Sequence, residues 1–241
     1  MPTSLSSAAA LQTAVLDKDE LASLPAFQRT AIELRDRIIS GRLQAGQPLA
    51  EQELASEWGI SRNTVREALR FLHGEGLVEY RHNHGVSVRC LSRQDVRDIY
   101  RTRRYIELMA VQLPETITHY HLDRLRQPLD LSAQAAASDD WQAVGTYSLR
   151  FHQCLVHMLG SARLDAFFTV LVAQQRLLFA SGQYESAFQQ PWLERDRRLW
   201  QLLSEQRLAE VAQMLMTYLE ESERQIMDTF AAPRERLFQA L

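Results

Sequence analysis

The sequence is poor in cysteine and has no long apolar run. Its two cysteines, Cys90 and Cys154, build no disulfide framework and do not have the spacing of a metal site. No apolar stretch approaches the ~20 residues that a membrane helix needs. No basic stretch leads into an apolar segment near the N-terminus, so we expect no signal peptide. These absences predict a cytoplasmic protein with reduced thiols and no membrane partner.

The sequence also has no large excess of charge of one sign. Lysine and arginine number 27, and aspartate and glutamate 30, which gives a net charge of -3 and a pI near 6.2. A chain that coats nucleic acid along its whole length is expected to be basic. Residues 26–90 hold nine arginines against eight acidic residues. Any contact with a polyanion must therefore depend on where single arginines lie.

Helical periodicity begins after a serine- and alanine-rich segment at residues 1–25, which we predict to be a mobile tail. The apolar spacing predicts a helix over residues 26–40. A short helix over Glu51–Trp58 and a glycine break follow. Ser61 is then a suitable N-cap for a second short helix, which ends near Gly74. Two short helices around a glycine-containing turn are typical of a helix-turn-helix.

A β-hairpin is predicted directly after these two helices. Leu77, Val78 and Tyr80 precede a polar loop, "RHNHG", and the following "VSV" alternates with a period of two. Residues 26–90 are therefore predicted to form a winged helix-turn-helix.

The chain beyond Cys90 has helical periodicity throughout. Prolines, glycines and polar breaks divide residues 91–232 into six helices, which we predict to form an antiparallel bundle, and residues 233–241 are predicted to be a tail. The predicted helices cover about 93–113, 115–137, 139–159, 162–181, 190–205 and 207–230. The predicted fold class is thus mainly α, with a small β-hairpin in the N-terminal domain.

The second short helix carries arginines on the side away from its apolar residues. At 100° per residue, Arg66 and Arg70 lie opposite the apolar arc, and Arg62 lies on the flank. The first turns of a recognition helix face the major groove, and arginine can hold a guanine or a phosphate with two hydrogen bonds. The alternative is a solvated helix face on which Glu67 pairs with Arg70. The preceding turn and the following hairpin favour the DNA interpretation.

The stretch from Ile38 to Val88 resembles the DNA-binding domain of GntR-family bacterial transcription regulators, through "GISR", "VREALRFL" and "EGLV". The resemblance implies double-stranded operator DNA as a partner. The implied contacts are Ser61, Arg62, Asn63, Thr64 and Arg66 at the start of the second helix, and His84 and Gly85 of the wing in the minor groove. Gln52 stands where relatives often carry arginine, and Arg81 adds positive charge beside the wing.

Residues 91–232 resemble the FCD class of effector domains in the same family. The resemblance is carried by "IYRTRRYIE", "LRFHQCLVHMLGSARL" and "LLSEQRLAEVAQML". Many members hold a divalent metal through an aspartate four residues before a histidine and two later histidines. The matching positions here are Ser148, His152, Asp196 and Tyr218. Only His152 and Asp196 are candidate ligands for a zinc- or nickel-type ion, so the ligand set is incomplete.

Arg103 is the remaining candidate in this domain, because the matching arginine in relatives points into the cavity. A buried guanidinium needs an anion to offset its desolvation. Glu107, four residues later on the same helix, could supply it, and so could a carboxylate effector. The predicted effector-binding residues are Arg103, Ser148, His152, Asp196 and Tyr218.

Together these patterns predict a homodimeric, operator-binding regulator, expected to be a repressor, whose helical domain senses a small organic acid. Its two-fold symmetry would match a palindromic operator. Two alternatives keep the same fold: a regulator with a metal-free pocket for a lipid or acyl thioester, and a metal-dependent helical enzyme. We expect no enzyme, because no nucleophile–base pair or carboxylate pair stands out in the sequence.

Overall fold

A computed structural model describes residues 18–81, 85–114, 117–179 and 185–230. These residues are mostly helical and include a two-stranded antiparallel hairpin, which confirms the predicted fold class. The elements are α1 Lys18–Ser23, α2 Ala26–Ile39, α3 Glu51–Trp58, α4 Arg62–Gly74, β1 Val78–Arg81, β2 Gly85–Val88, α5 Arg93–Gln112, α6 His119–Ala137, α7 Trp141–His157, α8 Ala162–Arg176, α9 Glu185–Ser204 and α10 Leu208–Thr229.

The chain forms two compact units. The first is built from Met1–Cys90 and Val172–Gly182, and the second from Leu91–Leu171 and Gln183–Leu241. We call them the N-terminal unit and the helical unit. None of the described helices is both long and apolar enough to cross a membrane.

The N-terminal unit is organised around α4, which packs against α2, α3 and β1. The apolar positions of α4 repeat at helical spacing, so they share one face and leave the opposite face to polar residues. Gly59 lies between α3 and α4 with φ +64°, a left-handed conformation that favours glycine and lets the chain turn. The completely buried apolar residues of α4 are Val65, Ala68, Leu69 and Leu72.

The hairpin is held in one register. Val78 pairs with Val88 at its base and Arg81 with Gly85 at its tip, and Pro48 forms an additional bridge to Ser87. Val78 and Val88 are buried, whereas the tip is exposed. The predicted wing residue His84 lies outside the described residues.

The last third of α8, from Val172 onwards, belongs to the N-terminal unit, although its sequence lies within the segment predicted as the effector domain. The side-chain amide of Gln174 donates a 2.6 Å hydrogen bond to the carbonyl oxygen of Glu75, the C-cap of α4. Nε of Arg176 donates a 2.8 Å bond to the carbonyl oxygen of Ile39, the last residue of α2. The carbonyls at helix ends lack intrahelical partners, so these two contacts satisfy groups that burial would otherwise penalise.

The helical unit contains the six predicted helices, α5 to α10, with α8 only partly inside it. α6 packs on α7, α5 on α10, and α9 contacts α6, α7 and α10. The starts of α5 and α6 are fixed by reciprocal capping, in which Ser92 exchanges hydrogen bonds with Asp95 and Thr118 with His121.

The observed elements differ from the predicted ones in three places. The sequence predicted a break up to Pro191, but α9 already begins at Glu185 and contains Pro191. Proline removes one helix hydrogen bond, and the burial of the neighbouring Trp192 and of Leu199 on the same helix outweighs that loss. The helix predicted to reach residue 181 ends at Arg176. α1 lies inside the segment predicted as a tail, whereas residues 1–17 and 231–241 are outside the described residues.

Candidate functional site

The first candidate site is the beginning of α4. Ser61 is its N-cap, as predicted: its Oγ accepts a 3.0 Å hydrogen bond from the backbone N–H of Thr64 and lies 2.8 Å from the Thr64 hydroxyl. This bond satisfies one of the N–H groups that have no intrahelical partner. The other N–H groups of the first turn remain available to an anion such as a phosphate.

Arg62 and Arg70 are exposed on the polar side of α4. Neither guanidinium has a hydrogen bond or an ion pair with any residue that the structure describes. The predicted alternative, a pair between Glu67 and Arg70, does not form, because Glu67 accepts a 3.1 Å hydrogen bond from the side-chain amide of Asn63. Arg62 thus presents a positive charge without a hydrogen bond or ion pair in the first turn of the helix, although this charge helps to lower the pKa of Glu51.

Arg66 is already engaged within the unit. Its Nη2 lies 2.9 Å from Oε2 of Glu51 on α3, and the two side chains are 41% and 21% exposed. The hydrogen bond from Arg66 lowers the pKa of the Glu51 carboxyl. Ion pairs at such exposure contribute little stability, so the contact orients the guanidinium without fixing it.

The other predicted DNA contacts lie on α3 and on the hairpin. Gln52 is exposed on the first turn of α3. Arg81 is exposed at the end of β1 and forms an ion pair with Glu79. Gly85 has φ +75° and nothing lies within 4 Å of the position that a Cβ would take, so its conformation rather than lack of space favours glycine there.

The second candidate site is a chain of buried ionic side chains in the helical unit. Nε of Arg103 donates a 2.6 Å hydrogen bond to Oε1 of Glu107, and Nδ1 of His152 lies 2.6 Å from the other carboxylate oxygen. Arg103 and His152 are 1% exposed and Glu107 is 0% exposed. The cluster therefore joins α5 to α7 through one carboxylate that serves two basic groups.

Asp196 of α9 and Tyr218 of α10 complete this buried cluster. Nε2 of His152 lies 3.7 Å from Oδ1 of Asp196, and the hydroxyl oxygens of Ser148 and Tyr218 lie 3.4 Å apart. The ring of Tyr218 packs against that of His152, at a centroid distance of 4.9 Å, and against that of Trp192, at 4.6 Å. The structure thus brings all five predicted effector-site residues into one unit.

Burial and charge act in opposite directions on the carboxyl groups of the cluster. Burial acts to raise the pKa of Glu107, but the charge of Arg103 and that of His152 outweigh it, so this pKa is lowered. Burial raises the pKa of Asp196, although His152 and hydrogen bonds from Ser148 and Tyr218 oppose the shift. Burial and the nearby Asp196 raise the pKa of Tyr218 well above its usual value, so its hydroxyl keeps its proton.

Three polar atoms of the cluster have no hydrogen-bond partner in the part of the chain that the structure describes. They are Nη2 of Arg103, Nε2 of His152 and Oδ1 of Asp196. An unsatisfied buried donor or acceptor costs about 1–3 kcal/mol. A bound molecule that forms hydrogen bonds with these atoms would therefore remove this free-energy cost.

The residues present do not fit the divalent metal that the resemblance implies. Zinc and nickel sites use three or more nitrogen, sulfur or carboxylate ligands. Here Ser148 and Tyr218 supply neutral hydroxyls at two of the four positions, and Nδ1 of His152 is taken up by Glu107. Among the described residues, no group of three histidine, cysteine or acidic side chains is arranged to hold a metal ion.

An open groove runs between α9 and α10 beside the cluster. Its volume is about 410 Å3, within the range of small-molecule sites. Polar and apolar side chains both line it, and Tyr218 belongs both to the groove and to the buried cluster. The lining residues are Arg195, Arg198, Leu202, Glu210, Gln213, Met214, Thr217, Tyr218 and Glu221.

Two family descriptions match this chain. Residues 27–88 match "Bacterial regulatory proteins, gntR family", and residues 98–231 match "FCD domain". The second match alone covers more than half of the chain. The chain belongs to the GntR family. Its FCD domain places it in the subfamily that the resemblance indicated.

Several GntR regulators are similar to this chain. A protein named "Probable D-xylose utilization operon transcriptional repressor" from Paenarthrobacter nicotinovorans is 32% identical over 56% of this chain and 61% of its own length. A "Gluconate operon transcriptional repressor" from Bacillus licheniformis is 28% identical over 54% of each chain. The matched stretch thus spans a little more than half of these curated relatives. They are regulators of transcription and not enzymes.

Two solved structures are similar to this chain over nearly their whole length. A GntR transcriptional regulator from Rhodococcus sp. RHA1 has a TM-score of 0.78 and 32% identity, covering 84% of this chain and 97% of that one. McbR/YncC of E. coli has a TM-score of 0.74 at 20% identity, covers 86% of this chain and 99% of that one, and shows the shared fold alone.

The sequence did not predict which side chains of distant helices contact each other. The buried hydroxyl pair of Tyr100 and Ser222, 2.6 Å apart, and the packing of Trp192 on Tyr218 were not predicted. Periodicity places each of these residues on the inner face of its helix, but it does not say which inner faces meet.

Proposed function

We propose that this GntR-family protein is a transcriptional regulator that binds double-stranded operator DNA through α4 and the wing. Its helical unit would control that binding in response to a small organic acid. The observation that carries the DNA proposal is the exposed, unpaired guanidinium of Arg62 in the first turn of a helix whose opposite face is the core of a winged helix-turn-helix. A recognition helix contacts the bases of the major groove with the exposed side chains of its first turns.

The residues at the start of α4 suit different parts of the DNA. Arg62 and Arg66 can each hold a guanine edge or a phosphate with two hydrogen bonds. Asn63 is able to read adenine once it leaves Glu67. The Ser61 and Thr64 hydroxyls, together with the N–H groups of the first turn, suit phosphate oxygens.

The remaining proposed contacts lie at the edges of this surface. Gln52 would contact the DNA backbone from α3. Gly85, together with His84 and Arg81, would enter the minor groove, because glycine lets the backbone approach closely.

We further propose a homodimer, which would match a palindromic operator. α5 and its C-cap Leu113 support this, because Tyr105, Met109 and Leu113 recur every four residues and are 67%, 47% and 61% exposed. Large apolar side chains at this spacing form a continuous stripe on one side of a helix, and such stripes are typical of surfaces that pair with another molecule. The resulting regulator would act as a repressor, like the two relatives whose names say so.

The organic-acid proposal is supported by Nη2 of Arg103, a buried donor without a partner among the described residues. Glu107 already offsets the charge of Arg103, so a ligand is not required for the arginine to be buried. A carboxylate would instead satisfy the remaining donor.

The DNA proposal is tested with arginine variants of the full-length protein. Operator-like fragments are first selected by the parent from random-sequence DNA, and affinities are then measured at fixed moderate salt. Arg62→Ala and Arg66→Ala are each expected to weaken specific binding by about tenfold or more, the equivalent of about 1–3 kcal/mol per contact.

The matched control is Arg97→Ala, which removes the same charge from an exposed position on α5. It is expected to bind like the parent. If Arg62→Ala and Arg66→Ala bind the selected fragments as tightly as Arg97→Ala does, the assignment of the recognition helix is wrong.

A further inference from the structure

Arg150 of α7 is a buried arginine without an acidic partner among the described residues. Only 8% of it is exposed, and its guanidinium forms no hydrogen bond and no ion pair with any residue that the structure describes. Arg103, the other buried arginine considered above, pairs with Glu107. A buried charge is costly unless a hydrogen-bonded group of opposite charge offsets it. An external anion would therefore bind favourably to Arg150.

The surroundings of Arg150 add positive charge to its own. Burial lowers the pKa of Arg150, and the charge of Arg124 on α6 acts in the same direction. Cys154 and Tyr147 oppose the shift. An arginine keeps its proton at neutral pH even when its pKa falls. Arg150 therefore stays charged and lies near a second cation.

Arg124 also has no acidic partner in the part of the chain that the structure describes. Its Nη1 donates a 2.8 Å hydrogen bond to the hydroxyl of Tyr120, and its guanidinium lies over the ring of that residue. Burial raises the pKa of Cys154, whereas the charges of both arginines and a hydrogen bond from Arg124 act to lower it. Cys154 lies one turn after Arg150 on the same face of α7. The two guanidinium groups are thus brought together around one side chain, where α6 packs on α7.

The guanidinium of Arg150 is reached from solvent through a narrow opening. Within the described segments, none of its nitrogen atoms is among the fully enclosed polar atoms without a partner, whereas Nη2 of Arg103 is. Arg150 lies two residues before His152, and at about 100° per residue their side chains leave α7 on nearly opposite sides. The pair of Arg124 and Arg150 is therefore separate from the buried cluster around His152.

We infer that Arg124 and Arg150 bind a phosphate group between α6 and α7. Two positive charges are best balanced by an anion with two negative charges, and a phosphate monoester carries about -1.5 to -2 at pH 7. Its oxygen atoms accept hydrogen bonds from the planar fork of each guanidinium. The narrow opening admits inorganic phosphate, or a monoester whose remaining part stays outside. This site goes beyond the proposed function, because neither operator binding nor the acid response requires it.

Phosphate binding is measured by isothermal titration calorimetry on the full-length protein, purified without phosphate. Inorganic phosphate and glycerol phosphate are titrated separately at constant ionic strength. Saturable binding is expected, and the compound that binds, or the tighter of the two, identifies the source of the phosphate group. If neither compound shows saturable binding, the inference is wrong. Operator binding and the response to acids are measured separately and do not depend on this result.

Arg150→Met removes the charge while keeping a long side chain. It is expected to weaken phosphate binding by about tenfold or more, because it removes hydrogen bonds between charged groups. The first control, Arg104→Met, removes an arginine of the helical unit that pairs with Glu223. The second, Arg62→Ala, removes the exposed arginine of the proposed DNA surface. Both are expected to bind phosphate like the parent, and an equal loss in either control contradicts the inference.

Thermal unfolding gives a second measurement, which an arginine with a purely structural role would not affect in the same way. Without phosphate, Arg150→Met is expected to have a higher Tm than the parent, because an apolar side chain replaces an unpaired buried charge. Added phosphate is expected to raise the Tm of the parent and to leave that of Arg150→Met unchanged. A lower Tm for Arg150→Met without phosphate would show that the protein itself offsets this charge, and would overturn the inference.

Discussion

Asp36 of α2 makes the stability of the N-terminal unit depend on pH in an unusual direction. The carboxyl is 4% exposed, and its Oδ1 has no hydrogen-bond partner within the described ranges. Burial, with a further contribution from Glu33, raises its pKa from 3.8 to about 7, although Arg35 and Arg42 act to lower it. Between about pH 4 and pH 7, the folded state therefore keeps a proton on Asp36 that the unfolded state has already released.

The size of the effect follows from the shift. A pKa raised on folding gives a stability contribution that is complete below the unfolded value and is lost as pH rises through the folded one. Moving from 3.8 to about 7 at 1.36 kcal/mol per unit gives a loss of about 4 kcal/mol at pH 8. Asp36→Asn keeps the shape and has no proton to lose. It is expected to be more stable than the parent by an amount that grows by about 3 kcal/mol from pH 5 to pH 8.

Hydrogen exchange of the backbone amides of α2 and α4 in the full-length protein, corrected for the pH dependence of intrinsic exchange, gives the local free energy of unfolding. Glu33→Gln provides a graded control, because removing the neighbouring negative charge should lower the pKa of Asp36 and reduce the pH dependence. A constant difference between Asp36→Asn and the parent from pH 5 to pH 8 would refute the reasoning. It would mean that the carboxyl is ionised at little cost in the folded state.

Two further predictions concern stability. Glu107→Gln removes the charge that offsets buried Arg103 and is expected to destabilise the helical unit by about 3–5 kcal/mol in urea unfolding; a loss below 1 kcal/mol would show that the pair is not buried as described. Gly59→Ala, at φ +64° with open space around it, is expected to cost about 1 kcal/mol. Gly76→Ala should cost more, because its Cβ would lie 2.9 Å from Nε2 of Gln174 and would displace the hydrogen bond that this atom donates to the carbonyl oxygen of Glu75. Equal losses in the two variants would contradict that contact.

Local features of the N-terminal unit could be predicted because they depend on neighbouring residues. The N-cap at Ser61 and the turn at Gly59 follow from short-range chemistry, and the structure confirms both. The i,i+4 spacing likewise named Glu107 as a partner for Arg103, and the two are hydrogen-bonded.

The rest of the candidate ligand site depends on contacts between distant segments. Ser148 and Tyr218 meet across 70 residues, and no spacing in the sequence shows that their hydroxyls would face Asp196. The break predicted up to Pro191 was wrong because the packing of a whole helix can outweigh one lost hydrogen bond. The failure of Glu67 to pair with Arg70 has a local origin instead, since Asn63, four residues before Glu67 on the same helix, hydrogen-bonds to its carboxylate.

The contacts of Gln174 and Arg176 bear on the modularity of the protein. The boundary predicted from the sequence suggests that the DNA-binding domain ends near Cys90, so that it could be produced alone or exchanged between regulators. The unit itself continues into Val172–Gly182, where those two side chains complete the ends of α4 and α2. A fragment that stops at Cys90 leaves the carbonyls of Glu75 and Ile39 without these donors. A chimaera that keeps the DNA-binding domain of this protein must therefore carry the last third of α8 with it.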